Sequence, residues 1–85
     1  MNIIELGERL RTVSERAGQN VERLQRESQY VTETMQKVQS NFGGQPAGQQ
    51  LVTALYGVIN SLGAADSALN ALRSRIAIYN GEIRK

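Results

Sequence analysis

Apolar positions recur along this chain in steps of three and four, the period of a helix face rather than of a strand. In the first half the apolar or small seam runs Ile3, Leu6, Leu10, Val13, Ala17, Val21, Leu24, Ser28, Val31, Met35, Val38, Phe42. Two successive fours around Ala17 and Val21 interrupt it, so it reads as a heptad with one stutter. In the second half a seam of larger residues runs without fault through Leu51, Leu55, Val58, Leu62, Ala65, Leu69, Leu72, Ile76, Tyr79 and Ile83. Beside it runs a second seam of small residues, Ala54, Gly57, Ser61, Ala64, Ala68 and Ala71, and Val52 and Ile59 widen the apolar face. From Gln45 to Leu72 the only charged residue is Asp66.

The two halves meet at Asn41-Phe42-Gly43-Gly44-Gln45-Pro46, the one cluster of turn chemistry. Gly43 or Gly44 can take the left-handed conformation that closes a helix, and Pro46 suits the first turn of the next. The spacing predicts an all-α chain, a single domain over 1–85. Helix 1 covers about 2–40, the turn 41–46 and helix 2 about 47–80, folded as an antiparallel helical hairpin. Arms of this length span about 52–58 Å at 1.5 Å per residue. Residue i then faces a residue near 88 − i, so that Leu24 meets Ala65 and Leu10 meets Tyr79.

Asn2 can cap helix 1, with Glu5 three residues on as in a capping box. Glu5/Arg9, Glu22/Arg26 and Glu33/Lys37 stand at i,i+4, acid first, on a face expected to be solvated. A lone hairpin buries one stripe per helix and has no use for a second seam. The expectation is therefore that helix 2 packs its large seam on helix 1 and its small seam on another helix. That makes the chain half of a four-helix-bundle dimer. Ala54, Gly57, Ser61, Ala64, Ala68 and Ala71 are the candidate partner interface.

Composition narrows the chemistry. Of 85 residues, 40% are hydrophobic and 5% aromatic, and there is no Cys, His or Trp. Disulfides, Cys/His metal sites and thiol or imidazole catalysis are excluded. The serines have no histidine to activate them, and Gly43-Gly44 is not followed by the Lys-Ser/Thr of a phosphate loop. No catalytic residue, cofactor or metal is expected, and the chain reads as a non-enzyme. The net charge of +2 comes from the C-terminal half, where Arg73, Arg75, Arg84 and Lys85 cluster. A helix C-terminus ordinarily favours cations, so nucleic acid is not expected as a partner, nor is a membrane surface. The N-terminus lacks the basic region of a Sec signal, and the Leu51–Ala65 stretch is too short and polar for a spanning helix.

A hairpin of this size with an aromatic-x-Gly turn at mid-chain and a Tyr near the end of helix 2 resembles the WXG100 (ESAT-6-like) superfamily of type VII secretion. Phe42-Gly43-Gly44 corresponds to that family's Trp-x-Gly turn, with Phe in place of Trp. Tyr79 and Glu82 stand near its Tyr-x-x-x-Asp/Glu export tail, although the acid comes three residues on and Ile83 occupies the fourth position. The resemblance implies a small protein that is secreted without a Sec signal, or is cytoplasmic before export. It would act as a homodimer or heterodimer with another helical hairpin, masking a toxin's helical segment or presenting a surface to a secretion ATPase. It also implies that the turn of one protomer and the tail of the other form the export element together. On the residues alone, Phe42 can equally cap the hairpin core and Tyr79 can equally pack on Leu10. The alternative is a filament subunit similar to the needle or inner-rod proteins of type III secretion, also short helical hairpins, in which the second seam makes contacts that do not close.

Overall fold

The computed structural model describes residues 1–83, without the side chain of Ile83. Ile83 of the large seam and the basic Arg84 and Lys85 therefore lie outside the described residues. Two helices, α1 (Ile3–Phe42) and α2 (Pro46–Ile83), fold back on each other as an antiparallel hairpin. The rod measures 61 × 18 × 14 Å. Its length is what 40 residues at about 1.5 Å each require.

The start of α1 follows from its first residues. Asn2 has extended backbone, and its side-chain oxygen accepts the Glu5 amide at 2.8 Å. This satisfies one of the helix's orphan donors. The turn is tighter than expected and uses no left-handed residue: Gly43 is helical, at φ −64° and ψ −22°, and no described residue has positive φ. Gly43 N–H donates to Gln39 O as in a regular helix and Gln45 N–H to Phe42 O across a tighter turn, which satisfies two of the last four carbonyls of α1. The glycine requirement is steric. A Cβ on Gly48 would collide with the carbonyl oxygen of Phe42, and one on Gly43 with that of Gln39, whereas one on Gly44 would meet nothing within 4 Å. The first turn of α2 thus folds directly over the end of α1.

The helices meet on a different seam from the expected one. On α1 the residues turned inward are Gly7, Leu10, Ser14, Ala17, Val21, Leu24, Ser28, Val31, Met35 and Val38. Their steps alternate three and four throughout, so the stutter vanishes. Ser14 faces α2 while Val13 lies in solvent. On α2 the inward residues are Gly48, Val52, Leu55, Ile59, Leu62, Asp66, Leu69, Ile76 and Asn80, with Ala65 half-buried beside them. Every second position of the large seam has moved by one residue, a roll of about 50° given 100° per residue.

The cause lies in what each half of the rod contributes. Toward the turn, Val52 and Ile59 carry β-branched bulk to α1. Toward the open end, polar α2 residues settle over small residues of α1. The Arg73 guanidinium lies against Gly18, where an added Cβ would stand 3.2 Å from it. Asn80 Nδ2 donates to the Gly7 carbonyl at 3.3 Å, across 73 residues of sequence. That bond sits within one residue of the 88 − i register. Among the described residues the buried apolar side chains are Ala17, Val21, Met35 and Ile76, so the core is a thin line.

The expected charge pairs on α1 do not form. Among the described residues the one ion pair is Arg11–Glu15, at 4.0 Å and base first. Both side chains are more than 60% exposed, and such pairs contribute almost nothing to stability.

Candidate interaction face

Rolling α2 turns a row of large apolar residues outward. Leu51, Val58, Leu72 and Tyr79 recur every seven residues and are 42–48% exposed. Ala65 occupies the remaining position of that row. Next to it, further from α1, lie Ala54, Ser61, Ala68 and Arg75, and beyond them Gly57, Ala64, Ala71 and Ile78. All six candidate interface residues, Ala54, Gly57, Ser61, Ala64, Ala68 and Ala71, are exposed. Taken in order, Leu51, Ala54, Val58, Ser61, Ala65, Ala68, Leu72, Arg75 and Tyr79 form a heptad seam, small at its centre from Ser61 to Ala68 and larger toward both ends. Its direction lies about 100° around α2 from the seam that contacts α1.

The one hydroxyl of the seam between Leu51 and Leu72 is already satisfied: Ser61 Oγ donates to Gly57 O at 3.0 Å. Covering that stretch would not strand it. Gly57 and Gly63 have open space where a Cβ would stand. Nothing inside the hairpin requires them, although each costs a helix about 1 kcal/mol relative to Ala.

Leu6 and Leu10 of α1 join Arg75, Ile76 and Tyr79 of α2 around an apolar groove at the open end, so Leu10 and Tyr79 share a neighbourhood as the register requires. The groove also shows that Leu6 of α1 shares a broad side of the hairpin with the outward row of α2. Along that side α1 presents Val13 and then charge: Arg9, Arg16 and Arg23, with Glu27 near its middle.

The turn and tail candidates sit at opposite ends. Phe42 is 53% exposed and does not cap the core. Gly43 is half-buried and Gly44 exposed. Tyr79 and Glu82 lie exposed at the far end of the 61 Å rod, so one chain does not bring turn and tail together.

Sequence reasoning missed Gly7, Ser14, Gly18, Gly48, Arg73 and Asn80. A signal existed for three of them. Following the three-four alternation backward from Val21 without allowing a stutter lands on Ala17, Ser14, Leu10 and Gly7, which leaves Gly18 beside the seam. Nothing in the local pattern marks Asn80 as inward.

Among the described residues no three acidic, His or Cys side chains are grouped to hold a metal ion, and no helix is long and apolar enough to cross a membrane. Comparison with protein-family models, with curated proteins and with solved structures returns no match.

Proposed function

We propose that this protein is a non-enzymatic interaction module, a helical hairpin that is completed by pairing with another helical hairpin in a four-helix bundle. The observation that carries the reading is the outward face of α2: an uncharged seam from Leu51 to Leu72, on a helix apolar around most of its circumference. A helix patterned in that way is a helix covered on more than one side. The surface supports the same reading. The chain exposes 6460 Å², against roughly 5,000 Å² for a compact monomer of this mass.

The finer reading is a WXG100-like role in type VII secretion. Its support is the hairpin form, the Phe42-Gly43-Gly44 turn and the Tyr79/Glu82 tail. Antiparallel pairing of two such rods would place the turn of one near the tail of the other, as the resemblance requires. Export would then be a property of the pair.

Two experiments separate the levels. Thermal unfolding followed by circular dichroism should shift to higher temperature as protein concentration rises, because assembly stabilises by mass action. A melt independent of concentration contradicts pairing. For the finer reading, the chain expressed with a type VII apparatus should reach the medium, and disabling the secretion ATPase should stop it. Equal amounts in the medium with and without the ATPase contradict the secretion role while leaving pairing intact.

A further inference from the structure

We propose that Asn80-Gly81 is a modification site: an asparagine poised to deamidate, held intact by the closed hairpin, whose conversion releases the open end irreversibly. The site goes beyond the pairing of hairpins and does not depend on what covers α2.

An asparagine loses its side-chain nitrogen when the backbone nitrogen of the next residue attacks Cγ, and a side chain on that next residue obstructs the attack. Five of the asparagines precede Ile3, Val21, Phe42, Ser61 and Ala71, and Asn80 alone precedes a glycine. That glycine has no packing role, since a Cβ on Gly81 would meet nothing within 4 Å. It does weaken the helix, because its backbone has the most freedom to lose. Gly81 lies in the last turn of α2, and helix ends open locally at the lowest free energy.

The closed hairpin holds the reaction off in three ways. Residue 80 is helical, and the five-membered ring closes only when its ψ leaves the helical value of about −42°. The Gly81 N–H is engaged in the helix ladder. The Asn80 carboxamide is drawn across to α1, where Nδ2 donates to the Gly7 carbonyl at 3.3 Å. This clasp is light. The bond is longer than the usual range of about 2.7–3.2 Å, and Oδ1 is buried without a partner. Opening the last turn removes all three restraints together.

Once open, the Gly81 nitrogen gives its proton to hydroxide and attacks Asn80 Cγ. The N–Cγ bond forms, the Cγ–Nδ2 bond breaks, and the nitrogen leaves as ammonia, protonated by water. One water then opens the succinimide. Addition at Cγ gives aspartate, and addition at the main-chain carbonyl carbon gives isoaspartate. Neither product can close the clasp again. Aspartate replaces the N–H donor with a second acceptor, facing the Gly7 carbonyl inside the hairpin, where an unpaired charge is costly. Isoaspartate adds a methylene to the backbone and breaks the last turn of α2.

The purified chain, incubated in mildly alkaline buffer with and without guanidinium chloride, tests this by mass spectrometry of the tryptic fragment 76–84. In denaturant residue 80 should gain about 1 Da, the change from an amide to an acid, ahead of residues 60 and 70. Without denaturant it should convert about tenfold or more slowly, because only the locally opened fraction reacts. Gly81→Ala should slow conversion in both conditions while keeping the helical signal. Amide hydrogen exchange should be faster at residues 3–10 and 76–82 in Asn80→Asp and in converted chain isolated by ion exchange, and unchanged around Gly43. Equal rates with and without denaturant overturn the protection. Conversion at residue 60 or 70 ahead of residue 80 in denaturant, or Gly81→Ala converting as fast as the parent, overturns the site. Converted chain that exchanges like the parent overturns the release.

Discussion

At the scale of the residue, the polar contact at the open end has the clearest consequences. Asn80 donates to the Gly7 carbonyl, yet its Oδ1 is buried without a partner. An unsatisfied buried acceptor costs about 1–3 kcal/mol. What the contact provides is position, as a single buried Asn does in coiled coils. We predict that Asn80→Leu raises the melting temperature while loosening the register. Spin labels at Thr12 and Ser74 should report one narrow distance in the parent and a broadened or split distribution in the variant. A lower melting temperature with an unchanged narrow distance would show that Asn80 stabilises without positioning. At the other end Gly48 allows α2 to close over Phe42. Gly48→Ala should lower stability by about 1–3 kcal/mol, as overpacking does, in a urea titration followed by circular dichroism. Gly44→Ala, with open space around it, should be tolerated.

At the scale of the element, the period of both helices and the hairpin itself were legible in the sequence, while the rotation of α2 was not. The pattern offered two seams at alternate positions, one through Val58 and Leu72 and one through Val52 and Ile59. Hydrophobicity alone favours the first. What decides the roll is a long-range fit: Asn80 and Arg73 need small α1 residues beneath them, and Gly7 and Gly18 supply that room. The stutter in α1 arose in the same way, because Val13 looks more like a core residue than Ser14. The turn was legible in place but not in mechanism, since Gly48 acts through a contact with Phe42 that no turn rule contains. Exposure now grades the packing mutations. Met35 is buried, and Met35→Ala should cost about 2–5 kcal/mol. Leu62 is only half-buried in the single hairpin, so Leu62→Ala should fall below that range. Chemical denaturation of the two variants side by side tests the order. On the outward seam, Ala68→Leu blocks the close approach of a partner helix. It should weaken assembly by about 5- to 150-fold by sedimentation while leaving the helical signal intact, since about 1–3 kcal/mol of overpacking corresponds to that range. If Ala68→Leu assembles like the parent, the seam is not an interface.

At the scale of the whole molecule, one hairpin is thin. Its radius of gyration is 18.8 Å, against about 12 Å for a compact chain of this length. Among the described residues its core contains four buried apolar side chains. A second rod on the α2 face would cover Leu51, Val58, Leu72 and Tyr79 at once, and apolar surface removed from water stabilises by ~25 cal/mol per Å². The missing aromatic bulk noted in the composition has a place in this arrangement, because small side chains on α2 let two helices approach closely. The measurement that bears on this most directly is the mass of the purified chain in solution, by size-exclusion chromatography with light scattering at micromolar concentration, with helicity checked on the same sample. Pairing through α2 predicts a helical species of twice 9.4 kDa. A fully helical, stable species of 9.4 kDa at every concentration would contradict it.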